Sequence, residues 1–251
     1  MIALLLTGGN LICGTLALAL LTMPPVLGLG VPQADTAVWL LVWAGVLDAV
    51  DGPIARRLRD NRITWGAEFD ALADLVSFAV APAVLVATTS PLPLAVFTVG
   101  AGAGFVLAGA WRLARFLRTG QRAGPGRFEG MPTTGAGLLI CAWWLFSHET
   151  GQGAFFPAGA ALLMAAGALL MVSRIRYEKF PELGRTTPRE RVKWAVSALA
   201  VTAIALHPAL LGLPVALLYT ASGPFNALRE AARMTAREDL GLEAKGGRDE
   251  P

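Results

Sequence analysis

Eight apolar runs, at about residues 3–23, 36–55, 69–89, 93–114, 133–147, 154–172, 194–207 and 209–226, leave this chain few ways to fold. About 20 apolar residues span the ~30 Å hydrocarbon of a bilayer as an α-helix, and the shorter runs reach that length with flanking residues. In lipid every backbone N–H and C=O must be satisfied internally. The runs therefore predict an all-α fold, a polytopic membrane helix bundle of about eight transmembrane helices. Composition agrees: the 251 residues are 55% hydrophobic and 16% charged, with mean hydropathy +0.56. The first run lacks the basic start of a signal peptide and carries Asn10 within TGGNLICG, so it is read as helix one.

Basic residues give the orientation. Residues 1–55 contain none, and all 21 fall in Arg56–Arg62, Arg112–Arg127, Arg174–Lys193 and Arg229–Arg248. With eight spans these segments share one side, which the positive-inside rule makes cytoplasmic, with both termini inside. The formal net charge of +3 then reports topology and contact with membrane lipid, and gives no reason to invoke nucleic acid. Residues 1–228 are expected to form one transmembrane domain, and 229–251 a cytoplasmic tail containing the amphipathic LREAARMTAREDLGLEAKGG. Cys13 and Cys141 are single thiols in apolar runs with no disulfide or zinc spacing.

The chemistry is concentrated between Asp48 and Asp74. Asp48 and Asp51, three apart, end the second run; Asp70 and Asp74, four apart, open the third. Each pair lies on one helical face, and the polar turn Arg57–Thr64 joins the helices as a hairpin. An Asp deep in a spanning helix costs roughly 2.5–3.5 kcal/mol on insertion scales, so something cationic must offset four of them. Mg²⁺ or Mn²⁺ suits carboxylate oxygens, and two ions would balance the charge and keep positions open for phosphate. Gly52 and Gly66 permit close backbone approach, and Arg56 offers a phosphate fork. The bland alternative, ion pairs with Arg56, Arg57, Arg59 and Arg62, explains neither the glycines nor the spacing.

The stretch matches D-x2-D-G-x2-A-R-x9-G-x3-D-x3-D at every fixed position, and so resembles the signature of the CDP-alcohol phosphotransferases. The resemblance implies metal ligation by Asp48, Asp51, Asp70 and Asp74, with Asp74 also the general base. It implies nucleotide or pyrophosphate contacts at Gly52 and Arg56, with Thr64 and Gly66 in the same stretch, and an approach of Asn10 to the nucleotide. From the residue alone, Asn10 could equally be a helix-packing amide. A homodimer in the cell membrane, multi-pass, with its active site at the cytoplasmic side, is the expected state.

Three further strings, ADLVSFAVAPA (73–83), FEGMPTT (128–134) and SRIRY (173–177), resemble the serine branch of that family. This implies transfer of phosphatidyl from CDP-diacylglycerol to L-serine. Arg112, Arg115, Glu129, Arg174 and Arg176 are the candidates for binding acceptor or phosphate, with membrane-rim anchoring the ordinary reading of the arginines. Glu129 would face the serine ammonium, and Thr133 or Thr134 would cap the following helix. Other acceptors (glycerol 3-phosphate or an inositol phosphate) and an archaeal ether lipid stay open. A cation transporter is the alternative from another class, disfavoured because the aspartates lie within about two turns of a helix end, at 1.5 Å per residue, and not at the midplane. Pro82 is expected to kink the third helix, and Gly100 and Gly104 to pack the fourth. His148 and His207 fall on the side away from the aspartates.

Overall fold

A computed structural model describes residues 2–23, 33–58, 66–119, 127–178 and 188–239; within it the side chains of residues 52–58 and a few others near segment ends are not described. Its helices are α1 (Ile2–Thr22), α2 (Gln33–Leu58), α3 (Gly66–Thr89), α4 (Leu92–Thr119), α5 (Thr133–Glu149), α6 (Phe156–Val172), α7 (Pro188–Leu206) and α8 (Pro208–Asp239). Six of these eight are long and apolar enough to cross a membrane; α5 and the apolar part of α7 are shorter. Large apolar side chains such as Leu92, Val96, Leu169, Leu199 and Leu218 point outward, as suits a lipid-facing surface. Between the helices alanine is the commonest buried residue, as at Ala17, Ala37, Ala79, Ala136 and Ala160, which lets the backbones approach there.

The third helix bends its hydrogen-bond ladder without breaking. Pro82 has no N–H and its ring crowds the carbonyl four residues back, that of Phe78. The ladder answers with a π turn at Val76–Val80, closed by Ala81 N–H donating five residues back to the Val76 carbonyl. The expected kink is thus a π turn, two residues beyond Asp74. Two glycines admit it: a Cβ at Gly14 of α1 would overlap Ser77 Oγ, and one at Gly137 of α5 would lie 2.5 Å from the Phe78 carbonyl oxygen.

One expectation changes here. Gly100 and Gly104 face open space; Gly102 and Gly109 pack α4 instead, against Ala83 and against Ala79 and Thr133, because the contact face of α4 is rotated from the one the four-residue spacing suggested. The tail is helical as far as Asp239, in continuation of α8, which runs unbroken through Pro214 and Pro224 to that residue. A two-stranded antiparallel ladder, β1 (Arg127–Glu129) with β2 (Arg176–Glu178), joins the connection before α5 to the one after α6.

Candidate active site

Asp48 near the end of α2 and Asp70 and Asp74 at the start of α3 each offer a carboxylate oxygen within 4.8 Å of the other two. The i, i+4 spacing puts Asp70 and Asp74 on one face of α3. Asp51 stands outside this trio, one turn on, yet its charge is felt by Asp48 and Asp70. Neutral side chains hold these carboxylates. Thr7 Oγ1 of α1 donates to Asp51 Oδ2 at 2.5 Å, and Thr134 Oγ1 of α5 to Asp48 Oδ2 at 3.0 Å. Asn10 Nδ2 donates to Asp74 Oδ1 at 3.3 Å, while its backbone carbonyl accepts from Ser77 Oγ at 3.1 Å. Asn10 is thereby fixed at both ends against α3.

The FEGMPTT segment explains itself residue by residue. Glu129 sits opposite Arg176 in the ladder. Gly130 takes φ +78°, and a Cβ there would lie 2.6 Å from the Met171 carbonyl oxygen. Met131 is fully buried. Pro132, extended, starts α5, so neither threonine caps the helix as anticipated. Their hydroxyls turn inward instead: Thr133 accepts from Arg112 Nη1 at 2.9 Å, and Thr134 holds Asp48. The cost of burying polar Thr is lower when its hydroxyl reaches a charged partner than when it only closes a helix end.

Arg112, buried near the end of α4, interacts electrostatically with Asp74 and Asp48. Arg115, one turn later, serves the scaffold. Its guanidinium donates to the carbonyls of Met171, Val172 and Ser173 at the C-terminus of α6 and to that of Glu129, at 3.0–3.4 Å. A cation at a helix C-terminus is favoured by the dipole and by the orphan carbonyls. Glu129, Arg174 and Arg176 are exposed. Gly66 opens α3; Gly52 and Arg56 lie in the last turns of α2, where side chains are not described, and Thr64 lies outside the described residues. His148 stacks on Trp144 at 3.9 Å at the far end of α5 from Thr134, and His207 lies between α7 and α8. Thr7 and the hydroxyl role of Thr134 escaped the sequence reading, although Thr7 and Asn10 stand three apart in TGGN, on one face of α1.

The donor set fits a hard cation. Asp51 Oδ1 and Asn10 Oδ1 are buried acceptors with no hydrogen-bond partner among the described residues, beside a trio of carboxylates. Oxygen ligands of this kind suit Mg²⁺ or Mn²⁺.

Comparison with known proteins now decides the family. Residues 1–173 match the family model described as CDP-alcohol phosphatidyltransferase. The chain belongs to that family. Among curated members, this CDP-alcohol phosphatidyltransferase homologue is 32% identical to the CDP-diacylglycerol–serine O-phosphatidyltransferase of Helicobacter pylori strain J99, over 69% of this chain and 70% of the relative. It is 32% identical to the archaetidylserine synthase of Methanothermobacter thermautotrophicus, over 61% of this chain and 62% of the relative. The relative from Mycobacterium leprae, also named a CDP-diacylglycerol–serine O-phosphatidyltransferase, is 31% identical over 77% of this chain and 66% of its own length.

Proposed function

We propose that this protein transfers the phosphatidyl group of CDP-diacylglycerol to L-serine, giving phosphatidylserine and CMP. The observation that carries the reading is the carboxylate trio with two buried acceptors beside it, in a family whose similar members are named for serine. Asp48, Asp51, Asp70 and Asp74 would hold one or two Mg²⁺ or Mn²⁺ ions, which supply positive charge against the pyrophosphate and the leaving CMP.

The rest falls to the chain's own groups. The Asp74 carboxylate, oriented by Asn10, takes the proton of the serine hydroxyl as that oxygen bonds to the phosphorus bearing diacylglycerol. The bond from this phosphorus to the CMP oxygen breaks, and CMP leaves with the electron pair. Gly52, Arg56, Thr64 and Gly66 are assigned to the nucleotide and pyrophosphate, on the motif they complete. Arg112 is assigned to the acceptor carboxylate and Glu129 to its ammonium, with Arg174 and Arg176 at the rim. Arg115 is left out, because carbonyls already occupy its guanidinium.

The reaction suits a site at the cytoplasmic side of the cell membrane, where a soluble and a lipid substrate meet; the confinement of all basic residues to four alternate segments supports that side. The working unit is a homodimer, with residues 1–228 as its transmembrane domain and 229–251 as tail. Purified protein given CDP-diacylglycerol and labelled L-serine should release CMP and form labelled phosphatidylserine. Transfer to glycerol 3-phosphate or an inositol phosphate in place of serine would overturn the acceptor assignment. Offering the ether-linked donor in parallel fixes the lipid type.

A further inference from the structure

The first turn of α5 hands consecutive residues to three different helices. At 3.6 residues per turn, neighbours point about 100° apart. Thr133 accordingly meets Arg112 of α4, and Thr134 meets Asp48 of α2. Gly135 leaves room for Tyr219 of α8, whose Cε1 lies 3.3 Å from where a Cβ would stand. The Tyr219 ring is held on its other side by Tyr177, with centroids 5.7 Å apart. Tyr177 is itself fixed: its hydroxyl donates to the Thr220 carbonyl at 3.0 Å, and its ring leaves no room for a side chain at Gly223.

Two donors around this turn have no hydrogen-bond partner among the described residues. Arg112 Nε is buried without a hydrogen bond, although Nη1 of the same group is satisfied by Thr133. The Tyr219 hydroxyl makes no hydrogen bond among the described residues, and it interacts electrostatically with Arg112. A buried guanidinium edge left open calls for an acceptor, and a phenol packed on the same turn of α5 supplies a second donor without a second charge. One positive charge and one neutral donor match a carboxylate. A phosphomonoester, with up to two negative charges, would leave charge uncompensated beside the aspartates.

We propose that Tyr219 is a specificity-determining residue which, with Arg112, binds the carboxylate of the acceptor, so that α8 completes a subsite although it lies beyond the residues matched by the family model. This rests on the serine reading above and deepens it. The structural basis is a ring packed against Gly135 and Tyr177, on the same turn of α5 whose Thr133 holds Arg112 of α4.

The test compares full-length wild type with Tyr219→Phe in phospholipid nanodiscs, with L-serine as acceptor and with ethanolamine, which has the same hydroxyl and ammonium but no carboxylate. Loss of a hydrogen bond to a charged group should raise the KM for serine about ten- to hundredfold. The KM for CDP-diacylglycerol, the thermal midpoint and the ethanolamine constant, read from turnover or from inhibition, should not move. An unchanged serine KM in a folded variant overturns the assignment, and so does an equal loss with ethanolamine, which would make Tyr219 a packing residue. If wild type itself ignores serine and uses glycerol 3-phosphate, the acceptor reading has failed, a result visible before any variant is compared.

Discussion

Replacing Thr134 by Val keeps the side-chain shape and removes one hydrogen bond, that from Oγ1 to Asp48 Oδ2 at 3.0 Å. A hydrogen bond to a charged group contributes about 1.5–3 kcal/mol. At 1.4 kcal/mol per tenfold, its loss should weaken divalent-metal binding about ten- to hundredfold, in line with the ~10–100-fold typical when a group orienting a metal ligand is removed. Thr133 provides the contrast. It serves Arg112, and among the described residues it makes no hydrogen bond to an aspartate, so Thr133→Val should cost metal affinity far less. The assay is Mn²⁺ titration of the full-length protein in micelles, followed by the resonance of the free ion, with thermal unfolding as a check that each variant is folded. If folded Thr134→Val binds Mn²⁺ within about twofold of wild type, Asp48 either needs no help from α5 or is not a ligand, and the reasoning fails.

Excess chelator should abolish phosphatidyl transfer, and Mg²⁺ or Mn²⁺ restore it, since unneutralised carboxylates repel a pyrophosphate; full turnover in chelator would refute the metal role. Asp74→Asn should lower kcat by about 10²–10⁴, the range for a positioned general base, and lower CDP-diacylglycerol affinity less; near-normal kcat would pass the proton to another group. Gly137→Val should destabilise the fold by at least ~1–3 kcal/mol, the usual cost of overpacking, because its Cβ would stand 2.5 Å from the Phe78 carbonyl oxygen in the π turn. An unshifted unfolding midpoint would show that the turn yields without strain.

The parts legible in the sequence were those carried by local period. Apolar length gave the helices, and i, i+3 and i, i+4 spacing put the aspartates on facing surfaces of α2 and α3. What stayed hidden depended on rotation about a helix axis. Gly100 and Gly104 carry the spacing of a packing motif but face outward, while Gly102 and Gly109 make the contacts. No period distinguishes these pairs, because the choice is made by which face of α4 meets α3. Thr133 and Thr134 read as caps on local grounds, and only the arrival of α2 and α4 beside the first turn of α5 gives their hydroxyls better partners. The π turn was half legible: Pro82 announced a disturbance, but whether a ladder breaks or absorbs one more residue is decided by Gly14 and Gly137, from two other helices. Tyr219 was silent, since its role exists only where α8 meets α5.

The kind of donor beside each carboxylate bears on what the site is built to accept. Thr7 serves Asp51, Asn10 serves Asp74 and Thr134 serves Asp48, and all three are neutral. Neutral donors orient a carboxylate and stabilise its charge without cancelling it. Lys or Arg in their place would stabilise the empty protein more, because charge-assisted bonds are about twice as strong as neutral ones. They would also compete with any cation for the same oxygens. Arg112, whose charge reaches Asp74 and Asp48, gives its Nη1 to Thr133, and among the described residues no hydrogen bond reaches Asp70. Two buried acceptors, on Asp51 and Asn10, remain unmatched among the described residues. A chain selected for stability alone would close those gaps; this one keeps its negative charge aligned and uncancelled, the condition for a hard cation to bind there and to act on a pyrophosphate.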